Sequence, residues 1–303
     1  MPSGRPTRRE CPVVDESSRL PDVVIIGAMK SATTSLYRWL DEQPEVFMAH
    51  PKETRFFSDK WERGREWYSG LFAAAAPGQL LGEASVNYTD PRKAPVVADR
   101  MARTVPDAHI IFVVRHPIER LRSHYRHEVQ RRREDRSLAE AVGEPGNAYV
   151  GHSSYHTCLQ PYIDRFPRDR ILVVRFEDLV RPPSPAWSAV LRSLSLSDRP
   201  APEMSHNVSG EKAQWTRAMA WAKRNRLISL RQVSRLPKPL RRAGRLVFAR
   251  GGSSYERKLE ASRASLPSEL LAPIWEDVAR LETWLGSPLW SRDDATEERV
   301  VTT

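Results

Sequence analysis

The sequence predicts a three-layer α/β fold: a central parallel sheet flanked by helices on both faces, with a helical extension at the C-terminal end. Three observations predict it. Short apolar, β-branched runs recur at 21–28 (PDVVIIGA), 80–85 (LLGEAS), 108–115 (AHIIFVVR) and 170–176 (RILVVRF), the pattern of strands buried on both faces. Helical stretches follow them at 34–44, 94–105, 117–135 and 156–167. Strands alternating with helices call for parallel pairing through helical crossovers.

In order, PDVVIIGA is a strand that stops at Gly27, and Leu36, Trp39 and Leu40 then recur at helical spacing. Pro-rich segments at 181–185 and 199–202 close the sheet-building region. A basic stretch and an amphipathic helix at 272–286 come after them. The reading is one domain over 21–290, with a polar leader at 1–20 and a tail at 291–303, both expected to be disordered.

Composition sets outer limits. A chain of 303 residues with 40% hydrophobic residues can bury a core without staples. Cys11 and Cys158 are the only cysteines, which suggests neither a disulfide framework nor a zinc site and fits a reducing compartment. No run approaches the roughly 20 apolar residues that span a bilayer, and the N-terminus lacks the apolar core of a signal peptide. A cytoplasmic protein is expected, and the Ala/Arg-rich composition suggests a bacterial one. The net charge is +10. Twelve Lys or Arg and no acid fall within 212–250, so the rest of the chain is slightly acidic.

The first strand-to-helix loop, GAMKSATTS (27–35), carries Lys30 and the hydroxyls of Ser31, Thr33, Thr34 and Ser35. Backbone N–H groups at such a helix start favour a phosphate. The loop does not match G-x-x-x-x-G-K-[ST]. Its bland alternative is an ordinary helix start, since Ser and Thr are favoured N-caps. A second element tips the balance: the strand IIFVVR ends in Arg115, with Ser123 two helical turns beyond. Neighbouring strand ends meet at the ligand crevice of a doubly wound sheet. Two separate phosphate sites fit a 3′-phosphorylated adenosine nucleotide rather than ATP.

IIGAMKSATTSL, AHPKETRFFS, GEASVNY, FVVRHPIERLRSHY and YIDRFPRDRILVVRFEDL, in this order, resemble the sulfotransferases that use 3′-phosphoadenosine-5′-phosphosulfate (PAPS). The likeness is strongest to the branch that includes heparan sulfate sulfotransferases and many bacterial relatives. It runs from about Pro21 to Val180, then resumes weakly at 206–210 and 281–290. The resemblance implies a P-loop-like fold and transfer of a sulfuryl group from PAPS to a hydroxyl or amine. The implied acceptor is a carbohydrate, a glycolipid or a secondary metabolite. No metal is implied.

It also implies roles. Lys30, Ser31, Ala32, Thr33, Thr34 and Ser35 would hold the 5′-phosphate and sulfate, with Lys30 near the bridging oxygen; Ala32 stands where relatives often have glycine. Arg115 and Ser123 match the 3′-phosphate ligands, and Tyr155 and Lys212 are added to the donor site. In KETRFF, Lys52 would contact the acceptor and Glu53 would be the general base; a Lys52–Glu53 surface ion pair is the bland alternative. His50 and His116 are rival bases. GEASVNY resembles a segment that usually reads GEKSPxY, which makes Glu83 and Tyr88 candidate cleft residues, with a packed aromatic as the alternative for Tyr88. Ala84 replaces the lysine, which argues against a heparan-like acceptor.

Trp215, Met219, Ala222 and Ile228 form an approximate apolar stripe in the basic segment. Such a helix suits an anionic membrane surface or acceptor, or simply a solvated face packed by its tryptophans. Two other functions compete. A P-loop kinase should show a Walker A loop and a Mg²⁺-binding acid at a later strand end, where Arg115 stands. A nucleic-acid-binding protein, suggested by pI ≈ 9.9, should show a recognisable module, and none is found.

Overall fold

The computed structural model describes residues 19–203, 262 and 266–290. Lys212, the basic segment 212–250, the leader up to residue 18 and the tail from 291 lie outside the described residues.

Five strands form one all-parallel sheet: β1 (Val23–Gly27), β2 (Val46–Met48), β3 (Leu80–Ala84), β4 (His109–Val114) and β5 (Ile171–Arg175), in the order β2-β3-β1-β4-β5. The helices are α1 (Thr33–Asp41), α2 (Gly64–Gly70), α3 (Ala94–Thr104), α4 (Pro117–Gln130), α5 (Leu138–Gly143), α6 (Ala148–Gly151), α7 (Tyr155–Ile163), α8 (Phe176–Val180), α9 (Pro185–Ser193) and α10 (Ser268–Leu285).

Alternation along the strands builds the layers. Val24, Ile26, Ile110, Phe112 and Val114 face one core, which takes in α3, α7 and the Val278 and Leu281 side of α10. Val23, Ile25, Ile111 and Val113 face the other, with Leu36, Trp39 and Leu40 of α1 and Trp187, Val190 and Leu191 of α9. A sheet covered on both faces needs apolar residues at every strand position, and VVIIG in β1 is buried throughout. A third cluster joins α4, α5 and Tyr149 to Ile274 of α10.

The helix at 117 ends at Gln130, short of the expected 135; Arg132 there adopts φ 55°, which a helix cannot continue. The C-terminal helix begins four residues earlier than expected, at Ser268, and holds Pro273 inside. Asp277 of α10 is 1% exposed and accepts from the N–H groups of His156 (2.7 Å) and Thr157 (3.0 Å). It thus satisfies the open N-terminus of α7 from far along the chain. Gly27 lets the segment after β3 close on β1, since a Cβ there would meet Thr89 Oγ1 at 2.5 Å. No helix among the described residues is long and apolar enough to cross a membrane.

Candidate functional site

The site lies at the carboxyl end of the sheet, where β3, β1 and β4 end side by side. Between β1 and α1 the chain makes a tight turn, with Lys30 at φ 75° and Ala32 at φ 57°. Left-handed residues on either side of an ordinary one turn successive N–H groups towards one point, an anion-binding nest. The nest opens on the N-terminus of α1, which adds its dipole. The hydroxyls here are not caps: the N-cap is Ala32, and no side chain caps the helix. Ser31 is fully buried, and its Oγ has no hydrogen-bond partner among the described residues. Such an orphan costs about 1–3 kcal/mol until a partner arrives, so the turn fits an anionic ligand. Thr33 is buried, Ser35 half-buried and Thr34 exposed.

Ala32 occupies a backbone conformation that costs an L-residue roughly 1–2 kcal/mol, against about 0.5–1 kcal/mol for glycine's extra unfolded freedom. Ala32→Gly is therefore expected to raise the unfolding free energy by about 0.5–1 kcal/mol, read by urea denaturation. A loss of stability would contradict the left-handed assignment.

On the adjacent strand, Ala28 N–H donates to Val113 O at 2.7 Å, which ties the turn to the end of β4. Arg115 follows directly. Its guanidinium lies 4.7 Å from the Phe176 ring centroid and 3.8 Å from Glu119. The Tyr155 hydroxyl donates to Arg115 O at 2.7 Å and accepts from Arg115 N–H at 3.3 Å. Ser123 sits two turns into α4 and is 7% exposed.

Glu53 lies in the loop after β2, bonded to the last residue of β3. Its own backbone is left-handed (φ 67°), and its N–H donates to Ala84 O at 2.9 Å. Its carboxylate accepts from Lys52 Nζ at 2.7 Å and from Val86 N–H at 3.1 Å, with a quarter of the side chain exposed. A strained backbone holding a fixed, partly open carboxylate marks a functional position better than a surface pair does. The segment after Val86 leads within four residues to Asp90, one wall of a cavity of about 470 Å³ that also takes in Arg92, Asn147, His152 and Leu270.

Residues 84–200 match the model of a sulfotransferase family. The heparan sulfate glucosamine 3-O-sulfotransferase 3A1 of Mus musculus is 30% identical over 181 residues, which cover 57% of this chain and 45% of that protein. For the human heparan sulfate glucosamine 3-O-sulfotransferase 6 the figures are 31% over 173 residues, 55% and 49%. The chain thus spans about half the length of the curated relatives it matches. A sulfotransferase from Alicyclobacillus acidocaldarius shares the fold, with a TM-score of 0.62, 24% identity, and coverage of 89% of this chain and 98% of that one.

Several expected site residues take other positions. Glu83 is not a cleft residue. It is fully buried and accepts from Thr54, from Tyr68 OH (2.5 Å), Tyr88 OH (2.9 Å) and Ser85 Oγ (3.0 Å). Burial pushes its carboxyl above the usual range, opposed by those four donors. Tyr88 is likewise buried, as a packed aromatic at a strand's end would be. Both lock the 52–57 loop onto β3, so they act behind Glu53. Tyr155 is also fully buried and shapes the turn at Arg115 rather than facing the crevice. Ala84 is enclosed in the second core, and the cation beside Glu53 is Lys52.

Neither rival base is well placed. His50 is held by Tyr37 OH (2.9 Å) and Asp41 (3.4 Å), towards the C-terminal end of α1 and away from the nest. The His116 ring is 5% exposed and packs edge-on against Trp275 and Trp290.

One residue escaped the sequence reading. Arg120, fully buried on α4, donates to Ser153 Oγ at 2.8 Å and Tyr149 O at 2.6 Å. Its position three residues before Ser123, on the same helix face, was the available signal.

Proposed function

We propose that this protein transfers a sulfuryl group from PAPS to a hydroxyl of an acceptor, a carbohydrate in the first instance. The observation that carries the reading is the pairing of two anion sites on adjacent strand ends. The nest with the orphaned Ser31 hydroxyl ends β1, and Arg115 with Ser123 follows β4. An adenosine with phosphates at both 3′ and 5′ positions uses both; ATP would leave the second idle. The donor supplies a sulfuryl group already joined to a good leaving phosphate.

In this reading the nest and Lys30 hold the 5′-phosphate, and Lys30 offsets the charge that grows on the leaving oxygen. Arg115 and Ser123 hold the 3′-phosphate. Glu53 takes the proton of the attacking hydroxyl, while Lys52 and the Val86 N–H fix the carboxylate's orientation. The fold contributes mainly positioning, as in other in-line transfers of charged groups. One support favours a carbohydrate: the matched relatives are named for heparan sulfate glucosamine.

Charge-assisted hydrogen bonds to a phosphate are worth about 1.5–3 kcal/mol each. Arg115→Ala is thus expected to weaken binding of 3′-phosphoadenosine-5′-phosphate (PAP) by roughly 10–100-fold, read by calorimetry. The function itself is tested by incubation with ³⁵S-labelled PAPS and a panel of neutral sugars, amino sugars, heparan sulfate and glycolipids. Label in an acceptor with equimolar PAP release is expected. Sulfur that stays on the nucleotide with every acceptor, together with phosphate transfer from ATP, would reverse the reading.

A further inference from the structure

Arg120 is the most fully enclosed charged side chain near the donor site, with no exposed surface. Its partners are all neutral: Ser153 Oγ, the Tyr149 carbonyl and, at 3.4 Å, the Nδ1 of His124. No carboxylate among the described residues reaches it. Donation to His124 Nδ1 requires that ring to carry its proton on Nε2. Burial first, then the charges of Arg120, His152, His127 and Lys30, keep His124 well below the ordinary histidine range and so neutral. Burial also pulls the Arg120 guanidinium down to about 10, with the like charge of Arg115 adding to it.

Arg115 and Arg120 therefore bring like charges together at the start of α4. The adjoining Glu119 is shared between Arg115 (3.8 Å) and Arg122 (3.0 Å). A buried guanidinium without a carboxylate is costly, and the helix places it between Arg115 and Ser123. A phosphate held by those two residues would be a negative group on the same stretch of α4 as Arg120.

We propose that Arg120 is a positioning residue for the 3′-phosphate: its buried guanidinium has no carboxylate partner among the described residues and takes the bound phosphate as countercharge. It thereby helps the protein tell a 3′-phosphorylated adenosine from plain 5′-AMP. This rests on the donor reading above. The competing role is a prop that ties α4 to α6 through Tyr149 and Ser153.

The test is calorimetric titration of the full chain with PAP and, separately, with 5′-AMP, for the wild type, Arg120→Met, Arg120→Lys and Ser153→Ala. A unit charge a few ångströms from a phosphate, in the moderate dielectric of a protein site, changes affinity by about tenfold or more. The expected result is at least a tenfold loss of PAP affinity in Arg120→Met with 5′-AMP affinity within about threefold of wild type. Arg120→Lys should regain most of the PAP-over-AMP ratio, and Ser153→Ala should leave that ratio unchanged. Should the methionine variant not fold, Arg120→Gln, which keeps a donor but not the charge, reads the same ratio. Equal losses for both nucleotides, or an unchanged ratio in the neutral variants, would overturn the proposal and leave Arg120 a prop. A wild type that does not prefer PAP to 5′-AMP would instead defeat the donor reading, and this inference with it.

Discussion

Glu53→Gln should lower kcat by roughly 10²–10⁴-fold, the usual contribution of a positioned general base, while PAP affinity stays close to wild type. The argument begins with what holds the residue. A glutamate adopts φ 67° only when its surroundings over-determine it, and the Ala84 carbonyl, the Val86 N–H and the Lys52 ammonium do so. Behind them, the buried Glu83 fastens Thr54 and the Tyr68 and Tyr88 hydroxyls, which stops the loop from shifting. Glutamine keeps the shape and the Val86 contact but cannot take a proton. If Glu53 were only half of a surface ion pair, the change would cost at most about 1 kcal/mol of stability and leave turnover nearly intact. Steady-state rates with labelled donor, beside PAP titration, separate the two cases.

Lys30→Met is expected to lower kcat by about 10²–10³-fold, the scale seen when one group aimed at developing charge is removed. Lys30 adopts φ 75° within the nest, and its charge is felt at His124 of α4. It therefore belongs to the turn that holds the 5′-phosphate in the proposed reading. Methionine keeps the apolar stem and removes only the charge. PAP affinity should fall by a smaller factor than kcat, because the ammonium matters most when the leaving oxygen becomes anionic. Equal factors would make Lys30 a ligand of the ground state alone.

The two-sided burial of β1 and β4, the turn at 27–35 and the Arg115 strand end were all legible, because each is local and repeats with its element's period. The three-residue β2 was not, since VFM is too short to show alternation. Neither was the capping of α7 by Asp277, which joins positions more than 100 residues apart. Within the site, sequence could name Glu83 and Tyr88 but not say that their polar groups point at each other inside the core. A carboxylate and a phenol on one short segment read alike in a cleft or in a buried network. Tyr155 lies in a segment that resembles the donor site, and sequence does not show that its hydroxyl bonds the Arg115 backbone. Arg120 is not legible in the sequence because arginine on a helix reads as solvated; only its tertiary neighbours show it buried.

The most direct measurement is calorimetric titration of the wild-type protein with PAP, 5′-AMP and ATP under one set of conditions. Tight binding of PAP, with 5′-AMP and ATP weaker by at least tenfold, is the predicted result, because only PAP fills both anion sites. A preference for ATP, or equal affinity for PAP and 5′-AMP, would contradict the two-site account of the donor.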